Sequence, residues 1–261
     1  MKKIQEKGIR KFVGIIASAI IVYACMVGIA RAWETTEFWT PCVEDVHPYG
    51  IPELMIGNFF SVYKKSMVDA DGSPNALASD IGFEIGVLPF DKINMEIGVD
   101  GIYPSADPYL FNAKLGTPED SMFKGAPGLA VGIFNVGTNP STTAADIGTI
   151  VIGKTIPYIN MRLHLGYYVG NHAVLLGSTG QPNNQDWMVA VDRTFNVGKD
   201  WMDSLTFAAD YAAGKNMIGG GGFGTYLNWT KNISLLIGPT WFNDAGLMGA
   251  WKWTTQVYIN F

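Results

Sequence analysis

Ten ionisable residues carry most of the chemistry this chain can do through charge. Asp80, Glu84, Glu96 and Asp100 fall in two adjacent segments, Lys114, Lys154 and Arg162 follow, and Asp192, Asp210 and Lys252 come later. They lie in segments where apolar and polar residues alternate, which puts the two sets on opposite faces of a strand. All ten are therefore expected on one face, with acids and bases partly segregated along the sheet. Facing rows of opposite charge across a narrow water path set up a transverse field, and rings of charged side chains govern which ions pass. The competing arrangement is a network of salt bridges that fills the same space.

Other chemistry is thinly represented. The histidines are His47, His164 and His172. His172 stands beside Asn171 and near Ser178 and Thr179, where a nucleophile–base pair is imaginable, but no catalytic signature surrounds it and it reads as a solvated loop histidine. Cys42 and His47 have the spacing C-x4-H, and two ligands make a poor metal site. No metal and no cofactor is expected. Gly219, Gly221 and Gly224 satisfy G-x-G-x-x-G, but a dinucleotide site needs a following helix, and Phe223, Thr225, Leu227 and Trp229 alternate as a strand. No catalytic residue is assigned, and the chain reads as a non-enzyme.

The elements that must position the charged residues are strands. Alternating segments recur over 53–64, 79–88, 92–103, 108–116, 127–136, 146–155, 158–169, 187–195, 202–213, 221–230, 233–242 and 250–261. Short connections follow the second, sixth and tenth segments: Pro89-Phe90-Asp91, Ile156-Pro157 and Thr230-Lys231-Asn232. Long polar ones follow the first, fifth and seventh: Asp69–Ala78, Gly137–Ala145 and Gly170–Asp186. In the third segment Ile93, Met95, Ile97 and Val99 oppose Asn94, Glu96, Gly98 and Asp100. The first and sixth segments have competing faces, and a bulge is expected there. The face of Lys154 is correspondingly open. Residues 33–52 do not alternate and read as a periplasmic or plug segment.

The two ends of the chain supply its address. Lys2, Lys3, Lys7, Arg10 and Lys11 precede the apolar run Phe12 to Ile29, and Ala30-Arg31-Ala32 is an A-x-A cleavage site, so residues 1–32 read as a cleaved signal peptide. That segment holds six of the 18 basic and one of the 23 acidic residues. Cleavage leaves 12 basic and 22 acidic residues, a formal charge of −10, which argues against a nucleic-acid partner. Of the two cysteines only Cys42 would remain, so no intramolecular disulfide can form. The alternative for this thiol is a bond or contact with a periplasmic partner. The last strand ends Tyr258-Ile259-Asn260-Phe261, with Trp251, Trp253, Val257, Ile259 and Phe261 in the apolar phase.

Export, strand rhythm and this terminus resemble the Gram-negative outer-membrane β-barrel proteins, porin-like in architecture, with no specific family indicated. The resemblance implies an all-β, transmembrane, antiparallel up-and-down barrel of about twelve strands over residues 53–261. It implies location in the bacterial outer membrane, lipid and the barrel-assembly machinery as partners, and Phe261 as part of the assembly signal. The apolar faces would then meet lipid and the ten charged residues would line the pore. A narrow passive channel or small-solute transporter is the leading expectation. A structural or partner-docking barrel with a filled lumen is second, and an outer-membrane enzyme third.

Two tight turns fix two expected registers. Around Thr230-Lys231-Asn232, Trp229 should oppose Ile233 and Leu227 should oppose Leu235. Around Phe90, Ile81 should face Val99, Phe83 should face Ile97, and Ile85 should face Met95. The same register puts Glu84 opposite Glu96 and Asp80 opposite Asp100. Like charges directly opposite destabilise a sheet, so this patch must be solvated, protonated or supplied with a cation.

Overall fold

Alternating side chains pair into twelve strands among the residues that the computed structural model describes, which are 40–61, 76–199, 201–249 and 251–261. The expected signal peptide, residues 33–39 and the first part of the Asp69–Ala78 connection lie outside them. The strands are β1 (Pro52–Phe60), β2 (Ser79–Gly86), β3 (Asn94–Tyr103), β4 (Tyr109–Thr117), β5 (Gly128–Gly137) and β6 (Ile147–Ile156). They continue with β7 (Met161–Val169), β8 (Gln185–Lys199), β9 (Met202–Ala212), β10 (Gly220–Asn228), β11 (Ile233–Phe242) and β12 (Lys252–Asn260). One four-residue helix, α1 (Ala245–Met248), lies between β11 and β12. Each strand pairs antiparallel with its chain neighbours, and β1 pairs with β12 from Glu53↔Asn260 to Phe60↔Trp253. Phe261 donates its N–H to the carbonyl of Pro52 at 3.0 Å and completes the seam. Closure leaves no edge, so every strand has neighbours for its backbone groups on both sides.

The wall is apolar outside and polar inside. Every strand from β1 to β11 exposes at least one large hydrophobic residue, among them Ile56, Phe83, Phe111, Ile150, Leu165 and Phe223. Buried inside are Glu96, Lys114, His164, Asp192, Asp210 and Lys252, each under 5% exposed. A water-soluble barrel has the opposite polarity. An apolar belt this continuous far exceeds the scattered exposed hydrophobics of a soluble surface and matches a lipid-facing wall.

The β10–β11 hairpin follows its expected register, with Leu227 opposite Leu235 and the Trp229 N–H on the carbonyl of Ile233 at 3.1 Å. The β2–β3 hairpin differs from expectation by two residues. Phe83 pairs with Val99 and Ile85 with Ile97. A slip of two keeps every side chain on its face but separates the carboxylates expected to oppose one another. Glu84 opposes Gly98, and Asp100 opposes Gly82. The reason is space: a Cβ on Gly98 would stand 2.7 Å from Glu84 Cγ, and one on Gly82 would stand 2.6 Å from Asp100 Oδ1. The glycines let the acids lie against the wall, and the β2–β3 register avoids like charges face to face within this hairpin.

Three further expectations are corrected. No bulge interrupts the pairing of β1 or β6 with their neighbours. The irregularities fall between Phe111 and Ala113 on β4 and between Asn196 and Lys199 on β8. The competition in β1 resolves with Leu54, Ile56 and Phe60 outward, beside Ile259, Val257 and Trp253, while Met55, Gly57 and Phe59 line the interior. β8 is longer than expected and runs to Lys199, so it meets β9 at a tight turn. Lys154 belongs to the outward phase of β6, opposite Leu163, because Thr149, Val151 and Gly153 take the inner face. Its ammonium reaches Glu119 at 2.7 Å and Asp120 at 3.4 Å on the β4–β5 connection, so it lines no pore.

Candidate functional site

The polar inner wall is occupied on one side by the non-alternating segment before β1. The residues Thr40 to Ile51 turn inside the barrel, and Thr40, Cys42, Val43, Glu44, Val46 and His47 among them are buried. Four attachments hold this strap. Thr40 donates its N–H and hydroxyl to Asp210 Oδ2 at 3.0 and 2.9 Å. Glu44 bonds to His164 Nδ1. Asp45 meets Arg162 Nη1 at 2.5 Å. The His47 N–H donates to Glu96 Oε2 at 2.6 Å, and Glu96 Oε1 lies 2.9 Å from the ammonium of Lys114, its cross-strand partner.

The strongest attachment is a five-membered ionic chain. Asp192 on β8 takes Arg162 Nε on both oxygens, at 3.0 and 3.1 Å, and His164 Nε2 at 2.8 Å. Arg162 and Asp192 are cross-strand partners, which fixes the wall half of the chain. Glu44 and Asp45 supply the strap half. Buried charges persist only when paired and hydrogen-bonded, and here each carboxylate is matched to a cation or imidazole at bonding distance.

The wall is shaped for Glu44. Gly128 and Gly153 are direct cross-strand partners on β5 and β6. A Cβ on Gly128 would stand 2.7 Å from Glu44 Cγ, and one on Gly153 would overlap its carboxylate. Two facing glycines thus leave a pit in the inner wall that the glutamate fills. Gly153→Leu should expel Glu44 and expose the neighbouring Cys42, which is 0% exposed against Ile147, Val151, Tyr168 and Met188. The check is the rate of maleimide labelling of Cys42 in the folded barrel. Labelling no faster than in the parent would mean that the pit does not hold the strap.

The expected pore-lining residues divide into groups. Glu96, Lys114, Asp192, Asp210 and Lys252 are buried, with Lys252 lying 5.6 Å over the Phe242 ring. Arg162 is partly exposed and ion-paired. Asp80, Glu84 and Asp100 border a cavity of about 460 Å³ whose other walls include Met55, Phe59, Leu110, Phe134 and Ile218. Asn112 on β4 donates to Asp100 at 2.5 Å. The loops on this side are laced together: Asn216 bonds to the Tyr168 hydroxyl at 2.8 Å, Lys215 N–H to Asn183 at 2.5 Å, and Ser178 N–H to Asp244 at 2.9 Å. Sequence reasoning missed Glu44, Asp45, His47 and His164 as members of the site. The run Val43-Glu44-Asp45-Val46-His47 was a signal in itself, because three ionisable residues in five have no place in a spacer.

Fold and site together define a closed antiparallel barrel, lipid-like outside, ionic inside, and strapped internally by its own N-terminal segment. Among solved structures, the chain is similar to an outer membrane channel from Pseudomonas putida F1, at 11% identity and a TM-score of 0.48, over 85% of this chain and 99% of that one. It is also similar to the NanC porin, at 8% identity and a TM-score of 0.47, over 80% and 98%. Likenesses this distant carry no argument about function. No family model matches the chain, and no curated protein does.

Proposed function

We propose that this chain is an outer-membrane barrel that forms a narrow passive channel, held closed in the described state by residues 40–51. The observation that carries the reading is the cavity of about 460 Å³ with apolar walls and the carboxylates of Asp80, Glu84 and Asp100. Such a pocket suits a small, largely apolar solute with a cationic or hydrogen-bond-donating end, since specificity in an apolar pocket comes from a few placed polar groups. Lipid and the barrel-assembly machinery are the partners this location implies, with Phe261 in the recognition signal. A periplasmic partner can reach the Cys42 thiol only when the strap leaves the lumen.

A second reading, a partner-docking barrel with a filled lumen, draws on the opposite wall. Thr206, Asn228, Leu236, Thr240 and Thr254 on β9 to β12 are all 0% exposed, so that half is closed by its own side chains. An enzyme is disfavoured because His164 has both ring nitrogens engaged by carboxylates, which leaves none to accept a proton from a nucleophile. Conductance of the purified mature chain in a planar bilayer separates these readings. A channel should show small, cation-preferring currents, and Asp80→Asn with Asp100→Asn should reduce that preference. Absence of current from both the mature chain and a strap-deleted form would leave the filled-lumen reading.

A further inference from the structure

Beneath the acidic side of the cavity, Glu53 on β1 and Glu84 on β2 are direct cross-strand partners, both on the inner face. The sequence reading placed Glu84 opposite Glu96 instead; this like-charge apposition lies on the other side of β2. Such a pair destabilises a sheet unless a cation intervenes. Into it points His47 from the strap. Its Nε2 lies 3.6 Å from Glu53 Oε1 and 3.5 Å from Glu84 Oε2. Neither separation is a satisfactory hydrogen bond. His47 Nε2 is thus in ion-pair range of both carboxylates without a hydrogen bond to either, and His47 Nδ1 and Glu53 Oε2 also lack a hydrogen-bond partner, although His47 and Glu53 are each only 3% exposed. Burial of polar groups without partners is costly, so the arrangement calls for something between them.

We propose that His47, Glu53 and Glu84 form a divalent transition-metal site that fastens the strap to the β1–β2 hairpin. One nitrogen and two carboxylate oxygens from these residues lie within 4.8 Å of one another. Ligands at about 2.0–2.1 Å from a shared tetrahedral Zn²⁺ stand about 3.3–3.5 Å apart, close to the 3.6 and 3.5 Å from His47 Nε2 to the two carboxylates. The charges agree as well. Glu96 is neutralised by Lys114 at 2.9 Å, which leaves Glu53 and Glu84 to be balanced. A divalent ion with neutral His47 cancels both carboxylates, whereas an imidazolium cancels one of them. A three-residue set also leaves a coordination position for water on the partly exposed Glu84 side.

The test is calorimetric titration of the purified mature barrel with Zn²⁺, carried out in a Cys42→Ala background so that the thiol contributes nothing. One Zn²⁺ per chain and a rise in thermal midpoint are expected. His47→Gln and Glu53→Gln should each weaken binding by more than about 100-fold, beyond the effect of losing a supporting residue. Glu53→Gln should unfold no earlier than the parent without metal, because it removes the like-charge apposition, and this shows that lost binding is not lost folding. Co²⁺ in place of Zn²⁺ should give the visible absorption of a low-coordinate site, lost in both variants. A dissociation constant above about 1 mM, or binding unchanged in His47→Gln and Glu53→Gln, would overturn the proposal. Conductance plays no part in these readouts, so the site stands or falls separately from the channel reading.

Discussion

A barrel lacking the segment before Pro52 is expected to conduct far better than its parent, with weaker cation preference. The barrel should survive the deletion, because the seam begins at Glu53↔Asn260 and needs nothing before Pro52 beyond its carbonyl. What leaves is the material that fills the β3–β8 side of the lumen. The Gly128–Gly153 pit becomes bare wall, and twelve strands enclose more space than the filled eight-stranded barrels. The charge of the lining shifts as well. Glu44 and Asp45 depart while Arg162, His164 and Lys114 stay, so the vacated stretch becomes less negative. Planar-bilayer recordings at two salt gradients give both quantities, and heat-modifiable migration in gels confirms folding. A folded deletion barrel with the parent's conductance would end the view that the strap closes the lumen.

Arg162→Met is expected to release the strap with the largest effect of any single substitution. The guanidinium joins the wall, through Asp192, to the strap, through Asp45. Without it, Glu44, Asp45 and Asp192 surround His164 as three carboxylates with one imidazole between them. Removing one partner of a fully buried pair costs about 3–5 kcal/mol, because the remaining charge is left uncompensated, and the loss here falls below that because Arg162 and Asp45 are partly exposed. Met keeps much of the side-chain volume, so the loss reports charge more than packing. Cys42 should become reactive to maleimide, and the urea midpoint of unfolding should fall. A variant with Cys42 still protected and an unchanged midpoint would show that the ionic chain is incidental to holding the strap.

The architecture was legible because a barrel wall is a local code. Period two sorts each strand into an apolar and a polar face, and tight turns such as Thr230-Lys231-Asn232 fix register over a short distance, as Leu227↔Leu235 bears out. Where the turn was looser, around Phe90, parity survived but pairing shifted by two. Alternation specifies faces and is silent on slips by an even number. The shift was decided by which partners leave room for a carboxylate, and that needs two strands side by side.

The site was far less legible. Alternation placed nine of the ten selected charges inward and misplaced Lys154, where the two faces of β6 were equally plausible by hydropathy. The partners of those charges were beyond the sequence. Glu44 meets His164 across 120 positions, and Asp45 meets Arg162 across 117. Contacts of that span follow from the closed wall, since only closure brings β3, β7, β8 and β9 around one strap. By itself the sequence determined an alternating chain of about twelve strands with an apolar outside. The tertiary structure alone decided that an aperiodic acidic segment should enter the lumen, because buried carboxylates go where a fixed cation and a space without side chains await them.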